Sequence, residues 1–167
     1  MEELPTSLTK VKSTIEVYVL GLGESIKRDH DGYRRFFAKM AKTKPEDAQV
    51  REASLKDFMR NLYAHHEAEE LTIFPKMMQI PELRGLAFEL QVEHASMKVL
   101  FEALSKDRAC TEVWRYKLAP MYDIMHAHWL KEEEELIPFK LDYFSESEWT
   151  DFGKRFDEKV AEYLKTH

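Results

Sequence analysis

The chain has 167 residues, 44% of them apolar, and a formal net charge of −6. That length and apolar share suit one domain with a sizeable core. Five glycines and six prolines are too few for a turn-rich all-β architecture, and negative charge spread along the chain argues against nucleic acid as a partner.

No apolar run approaches the roughly 18–20 residues that span a bilayer, and the opening MEELPTSLTK lacks the basic-then-apolar pattern of a secretory signal. Cys110 is the single cysteine, so no internal disulfide can form. The expectation is a soluble, cytoplasmic protein.

In chain order, residues 1–22 read as an N-terminal arm. Its stretch TIEVYVLGLG is apolar enough to pack on a core, but its two glycines oppose a long helix. Residues 23–42 then carry Ile26, His30, Tyr33, Phe37 and Met40 at spacings of four and three, the period of a helix face. Pro45, within TKPED, suits the first turn of a second helix running to about Phe74. Its stripe holds Phe58, Leu62, His65, Glu69 and Ile73. Pro75 and Pro81 bracket a short connection. A third helix carries Leu83, Ala87, Leu90, His94, Met97, Phe101 and Leu104. The fourth carries Met121, Met125, His128, Glu132 and Leu136; it is expected to kink at Pro120 and to end near Pro138. Finally Ser145-x-x-Glu148 is a capping-box pattern that opens a shorter helix to the C-terminus. The fold class is therefore all-α: an antiparallel up-down four-helix bundle over residues 23–140, with an N-terminal arm and an extra C-terminal helix over 141–167.

One pattern is written twice. HHEAEELTIFP (residues 65–75) and HWLKEEEELIP (residues 128–138) lie 63 positions apart, each with histidine first, glutamates at +4 and +5, an aliphatic residue (Ile73 or Leu136) at +8 and proline at +10. His30 precedes His65 by 35 residues and His94 precedes His128 by 34. The chain thus divides into two similar helical hairpins, each offering a lone histidine and then a histidine–glutamate pair.

Residues four apart on a helix point nearly the same way. Stepping back from His65 and His128 reaches Leu62 and Phe58, and Met125 and Met121, which are core positions. Four histidines and two glutamates therefore fall on the buried stripes. A single His-x-x-x-Glu is ordinarily a solvated pair, and Glu133, Glu134 and Glu70 fit such a wet face. The repetition in one core register does not. Two buried carboxylates repel each other and need positive compensation, and no Lys or Arg shares their stripes. A pair of divalent ions meets the need, with imidazoles as terminal ligands and Glu69 and Glu132 as bridges. Such mixed donors suit iron or manganese, and zinc is compatible.

DHDGYRRFF, HHEAEELTIFP, VEHASMKVLF and HWLKEEEELIP, in that order over about residues 24–140, resemble the helix signatures of the hemerythrin-like HHE cation-binding family. The resemblance implies a non-haem di-iron centre with an oxo or hydroxo bridge. Its implied ligands are His30, His65, Glu69, His94, His128 and Glu132, and its implied partners are O2, NO or peroxide, with a further protein where signalling is involved. Two positions depart from the oxygen-carrying members. Lys98 stands where they have a second third-helix histidine, and the fourth-helix motif offers glutamates at +4 and +5 where they have an aspartate at +5. The missing imidazole implies either an extra open position or a substitute ligand from His66, Glu67 or His126. His66, about 100° round the helix from His65, is expected to point away from the centre. A rival register pairs His66 with Glu70, but only His65 with Glu69 matches the proline spacing of His128 and Glu132. The resemblance implies a protein that binds or senses oxygen, nitric oxide, or iron and redox state. The alternative is a di-iron enzyme that decomposes peroxide or acts as an oxidase, and the sequence leaves open whether there is turnover.

Overall fold

The computed structural model describes residues 21–167, so the arm expected over residues 1–22 lies, but for its last two residues, outside the described part. The helices are α1 (Leu22–Met40), α2 (Ala48–Thr72), a single turn α3 (Phe74–Met77), α4 (Pro81–Ser105), α5 (Glu112–Lys131), α6 (Ile137–Tyr143) and α7 (Glu146–Thr166). No strand occurs among the described residues. No helix among them is long and apolar enough to cross a membrane.

The buried apolar side chains form two clusters. One holds Tyr33, Phe37, Leu55, Phe58, Phe101, Trp114 and Met125 with their neighbours. The other holds Leu22, Ile26, Phe74, Leu83, Leu90, Leu136 and Phe156 with theirs. Along α1 the second cluster comes before His30 and the first after it; α2 reverses the order, α4 restores it and α5 reverses it again. That alternation is the signature of an up-down-up-down bundle. The histidines and glutamates form a polar layer between its two apolar ends.

The element boundaries follow local chemistry. Gly23 lies in the first turn of α1: a Cβ there would come within 3.1 Å of Ile137, so the glycine admits α6 close against α1. Pro45 opens a single 3-10 turn leading into α2. The fourth helix does not end near Pro138, as its sequence suggests. Residues Glu132–Leu136 widen into a π turn in which Ile137 N–H donates to the Glu132 carbonyl. Pro138 then occupies the first turn of α6, a position that proline's fixed φ suits. Pro120 sits within α5, which continues on both sides of it. Ser145 and Glu148 form the expected capping box at the start of α7.

At one end of the bundle Arg51 is fully buried. It donates to the carbonyls of Ala109 (2.7 Å), Thr111 (3.0 Å) and Thr43 (2.9 Å), and its guanidinium lies 5.3 Å from the Trp114 ring. One side chain thereby ties the α1–α2 link to the α4–α5 link.

Candidate metal centre

His30 on α1, His65 and Glu69 on α2, His94 on α4, His128 on α5 and Glu132 at the start of the π turn all lie in the polar layer, none more than 3% exposed. Each carboxylate approaches an imidazole from each hairpin. Glu69 Oε2 is 3.5 Å from His65 Nε2 and 3.4 Å from His94 Nε2. Glu132 Oε2 is 2.9 Å from His30 Nε2, and its Oε1 is 3.0 Å from His128 Nε2. The pseudo-two-fold relation written in the sequence thus closes around one shared layer.

His66 joins them. It is 5% exposed and stacks on His94 with ring centroids 3.7 Å apart and planes 6° from parallel. Ligand atoms of His66, His94 and His128 lie within 4.8 Å of one another, as do those of His30, His65 and Glu132. The expectation that His66 points away is therefore incorrect. The layer has more than one focus: a third donor group, Glu69, His94 and Glu132, links the other two, so positions 100° apart on α2 can both face it. The periodicity argument assumed a single focus, and the doubled His65-His66 was the signal that could have exposed this. Of the other candidates, Glu67 is exposed and His126 is half-buried, stacked on Tyr122 at 5.5 Å. In the rival register Glu70 stays outside the centre, and Glu69 lies within it.

The outer ring nitrogens explain the orientation of four histidines. His30 Nδ1 contacts Glu133 at 2.8 Å, His65 Nδ1 Asp29 at 3.2 Å, His94 Nδ1 Glu70 at 2.9 Å and His128 Nδ1 Glu93 at 2.8 Å. A carboxylate only accepts, so each Nδ1 carries the proton and donates it. Each Nε2 is then turned inward as the free donor atom, the arrangement of a carboxylate–histidine–metal relay. The outer carboxylates are anchored in turn: Glu133 by Arg34 (2.7 Å), Asp29 by Arg28 (2.9 Å) and Glu93 by Lys131. Glu133, grouped with the wet acidic face on sequence grounds, is in fact the partner of His30.

The inward side of the layer has no such partners. Nε2 of His30, His65, His66, His94 and His128 and both carboxylate oxygens of Glu69 and Glu132 are buried without a hydrogen bond. Several of these atoms come within 3 Å of each other without the alignment a hydrogen bond needs. Unmade bonds on buried polar groups cost roughly 1–3 kcal/mol each, so nine convergent ones are unsustainable without a guest. Protons supply part of the compensation before metal enters. Burial alone would lower the His30 pKa, but Glu132 and Glu133 raise it to about 9. Burial opposes protonation of His94 and His128 too, yet neighbouring glutamates hold both above the usual imidazole value. Glu132, which burial would raise, is held well below the carboxylate range by His128, His30 and His94. His66 goes the other way: burial, then repulsion from His94 and His128, keeps it neutral. The donor set, imidazole nitrogens together with carboxylate oxygens, suits metal cations.

The family model described as the hemerythrin HHE cation binding domain matches residues 22–139. The chain belongs to this family. Among solved structures, a hemerythrin HHE cation binding domain-containing protein from Mycobacterium kansasii shares the fold, with a TM-score of 0.75 and 16% sequence identity over 88% of this chain and 89% of that one. No curated protein sequence matches. The buried His/Glu layer lies within the matched residues.

Proposed function

We propose that the layer is a di-iron centre, with His30 and His65 as terminal ligands of one ion, His66, His94 and His128 of the other, and Glu69 and Glu132 bridging them. The observation that carries this reading is the convergence of nine buried, unpartnered donor atoms on one layer. Iron bound there would supply an exchangeable position for a small ligand and a change of oxidation state. With His66 in the set, the imidazole absent at Lys98 is replaced from α2, and the extra open position implied by its absence is not needed. Counting donors, the His30–His65 ion has one imidazole fewer and is the one left open.

The protein's own groups shape that open side. Tyr33, Trp129 and Phe156 surround His30 and His65, with ring centroids 5.2–6.2 Å from them. This wall keeps bulk water from the two imidazoles, which are no more than 1% exposed. Tyr33 directs its hydroxyl to the Asn61 carbonyl (3.3 Å), away from the centre. Glu133, Asp29, Glu70 and Glu93 fix the imidazole tautomers, so each Nε2 is ready to donate. A closed apolar wall and a preorganised donor set favour a binder or sensor of O2 or NO over an enzyme with an organic substrate.

The test is the visible spectrum of anaerobically reduced, iron-loaded protein before and after oxygen is admitted. A charge-transfer band that appears with oxygen and vanishes under vacuum supports binding. Irreversible conversion together with steady peroxide consumption would make the protein an enzyme.

A further inference from the structure

The donors of the layer are so deeply buried that a hydrated cation cannot meet them directly, and a route must exist. Between α2, α4 and α7 lies a cavity of about 340 Å³ walled by Tyr63, His66, Glu67, Glu70, Gln91, His94, Ala95, Lys98 and Tyr163. At about 30 Å³ per water it holds on the order of ten molecules, enough for a cation with its hydration shell. Among the described residues, further hollows lie between α1 and α5, between α1 and α2, and between α2 and the start of α5. None is lined by a histidine of the centre.

We propose that this cavity is the port by which divalent cations reach the centre, with Glu67 and Glu70 drawing the ion in and His66 passing it to the layer. This rests on the proposed metal centre. Two rings of the centre, His66 and His94, form part of the cavity wall while their Nε2 atoms are buried without a partner, and one difference singles out His66. Unlike the other four rings, it has no carboxylate on Nδ1 among the described residues, so its stack on His94 orients it without a hydrogen bond at that nitrogen. His94 beside it is held by Glu70 as well. Lys98 is the opposing charge of the mouth, its ammonium 5.6 Å from the Tyr63 ring. The port therefore carries an electrostatic signature with two signs. Removing an acid slows entry, and removing Lys98 hastens it.

Stopped-flow uptake of Co2+ by metal-free protein, followed by its visible d–d absorption, tests the port without relying on any activity. At low salt Glu67→Gln is expected to slow uptake about 3- to 10-fold and Lys98→Ala to accelerate it, both converging on wild type at high salt. Ala95→Trp, on an exposed α4 position in the cavity wall, should slow uptake more than about 10-fold at any salt. Ala38→Trp, which fills the groove between α1 and α5, should change nothing. Final occupancy should be equal in all four. Wild-type rates in Glu67→Gln and Ala95→Trp with full final occupancy would overturn the port alone. No Co2+ uptake by the wild type would overturn the metal centre and the port with it.

Discussion

At the residue scale, the centre is a set of atoms that lack partners, and its chemistry follows from which atoms those are. Replacing either bridging carboxylate should show this most sharply. Glu69→Ala and Glu132→Ala are expected to lose metal and thermal stability together, because metal binding to a folded site is folding free energy; metal analysis alongside thermal melts checks both. Glu133→Ala leaves the donor set whole but frees His30 Nδ1. Loss of such a partner typically weakens metal binding about 10- to 100-fold, which chelator competition would measure. Protons and metal also compete for His30. Its pKa in the folded, metal-free protein, about 9, exceeds the unperturbed value of about 6.5. Its contribution to stability is then complete below about 6.5 and lost as pH rises through about 9. Metal-free protein should accordingly become easier to denature across that window while metal affinity rises, since metal displaces the proton. The six residues His30, His65, Glu69, His94, His128 and Glu132 were legible as a layer because their spacing set them on core stripes. His66 was not, because helical periodicity describes one direction at a time.

At the element scale, α7 is more than a cover. Phe156 packs edge-on to His65 at 5.2 Å. Asp157 accepts from Ser25 (3.2 Å) and Arg28 (3.0 Å), and Arg28 also holds Asp29, the partner of His65. A chain of contacts thus joins the C-terminal helix to one terminal histidine. Phe156→Ala should cost about 3–5 kcal/mol as a large core truncation and also loosen metal on the His65 side, seen as faster release to a chelator. Loss of stability with an unchanged release rate would mean that α7 supports the fold alone. The sequence announced α7 through its capping box but not its docking face, since an amphipathic helix does not say which groove receives it. The π turn was hidden for a related reason. Its wide turn costs one irregular bond and leaves the apolar spacing on either side intact, so Pro138 looked like a terminus.

At the scale of the whole molecule, two apolar clusters flank one polar layer, and the layer is where the folded state depends on a guest. Arg51 provides the contrast, a buried polar group whose partners are all internal. Arg51→Met should cost at least about 2 kcal/mol by stranding the carbonyls of Thr43, Ala109 and Thr111, yet leave metal content unchanged; chemical denaturation and metal analysis separate the two effects. The bundle itself was readable from four amphipathic stripes and short links, because helix period and loop length constrain topology strongly. The most direct test of the two-ion centre is an anaerobic titration of metal-free protein with Fe2+, followed by tryptophan fluorescence and bound-iron analysis. A break at two irons per chain, accompanied by a rise in melting temperature, is the expected result. Saturation at one iron, or none retained after gel filtration, would contradict it.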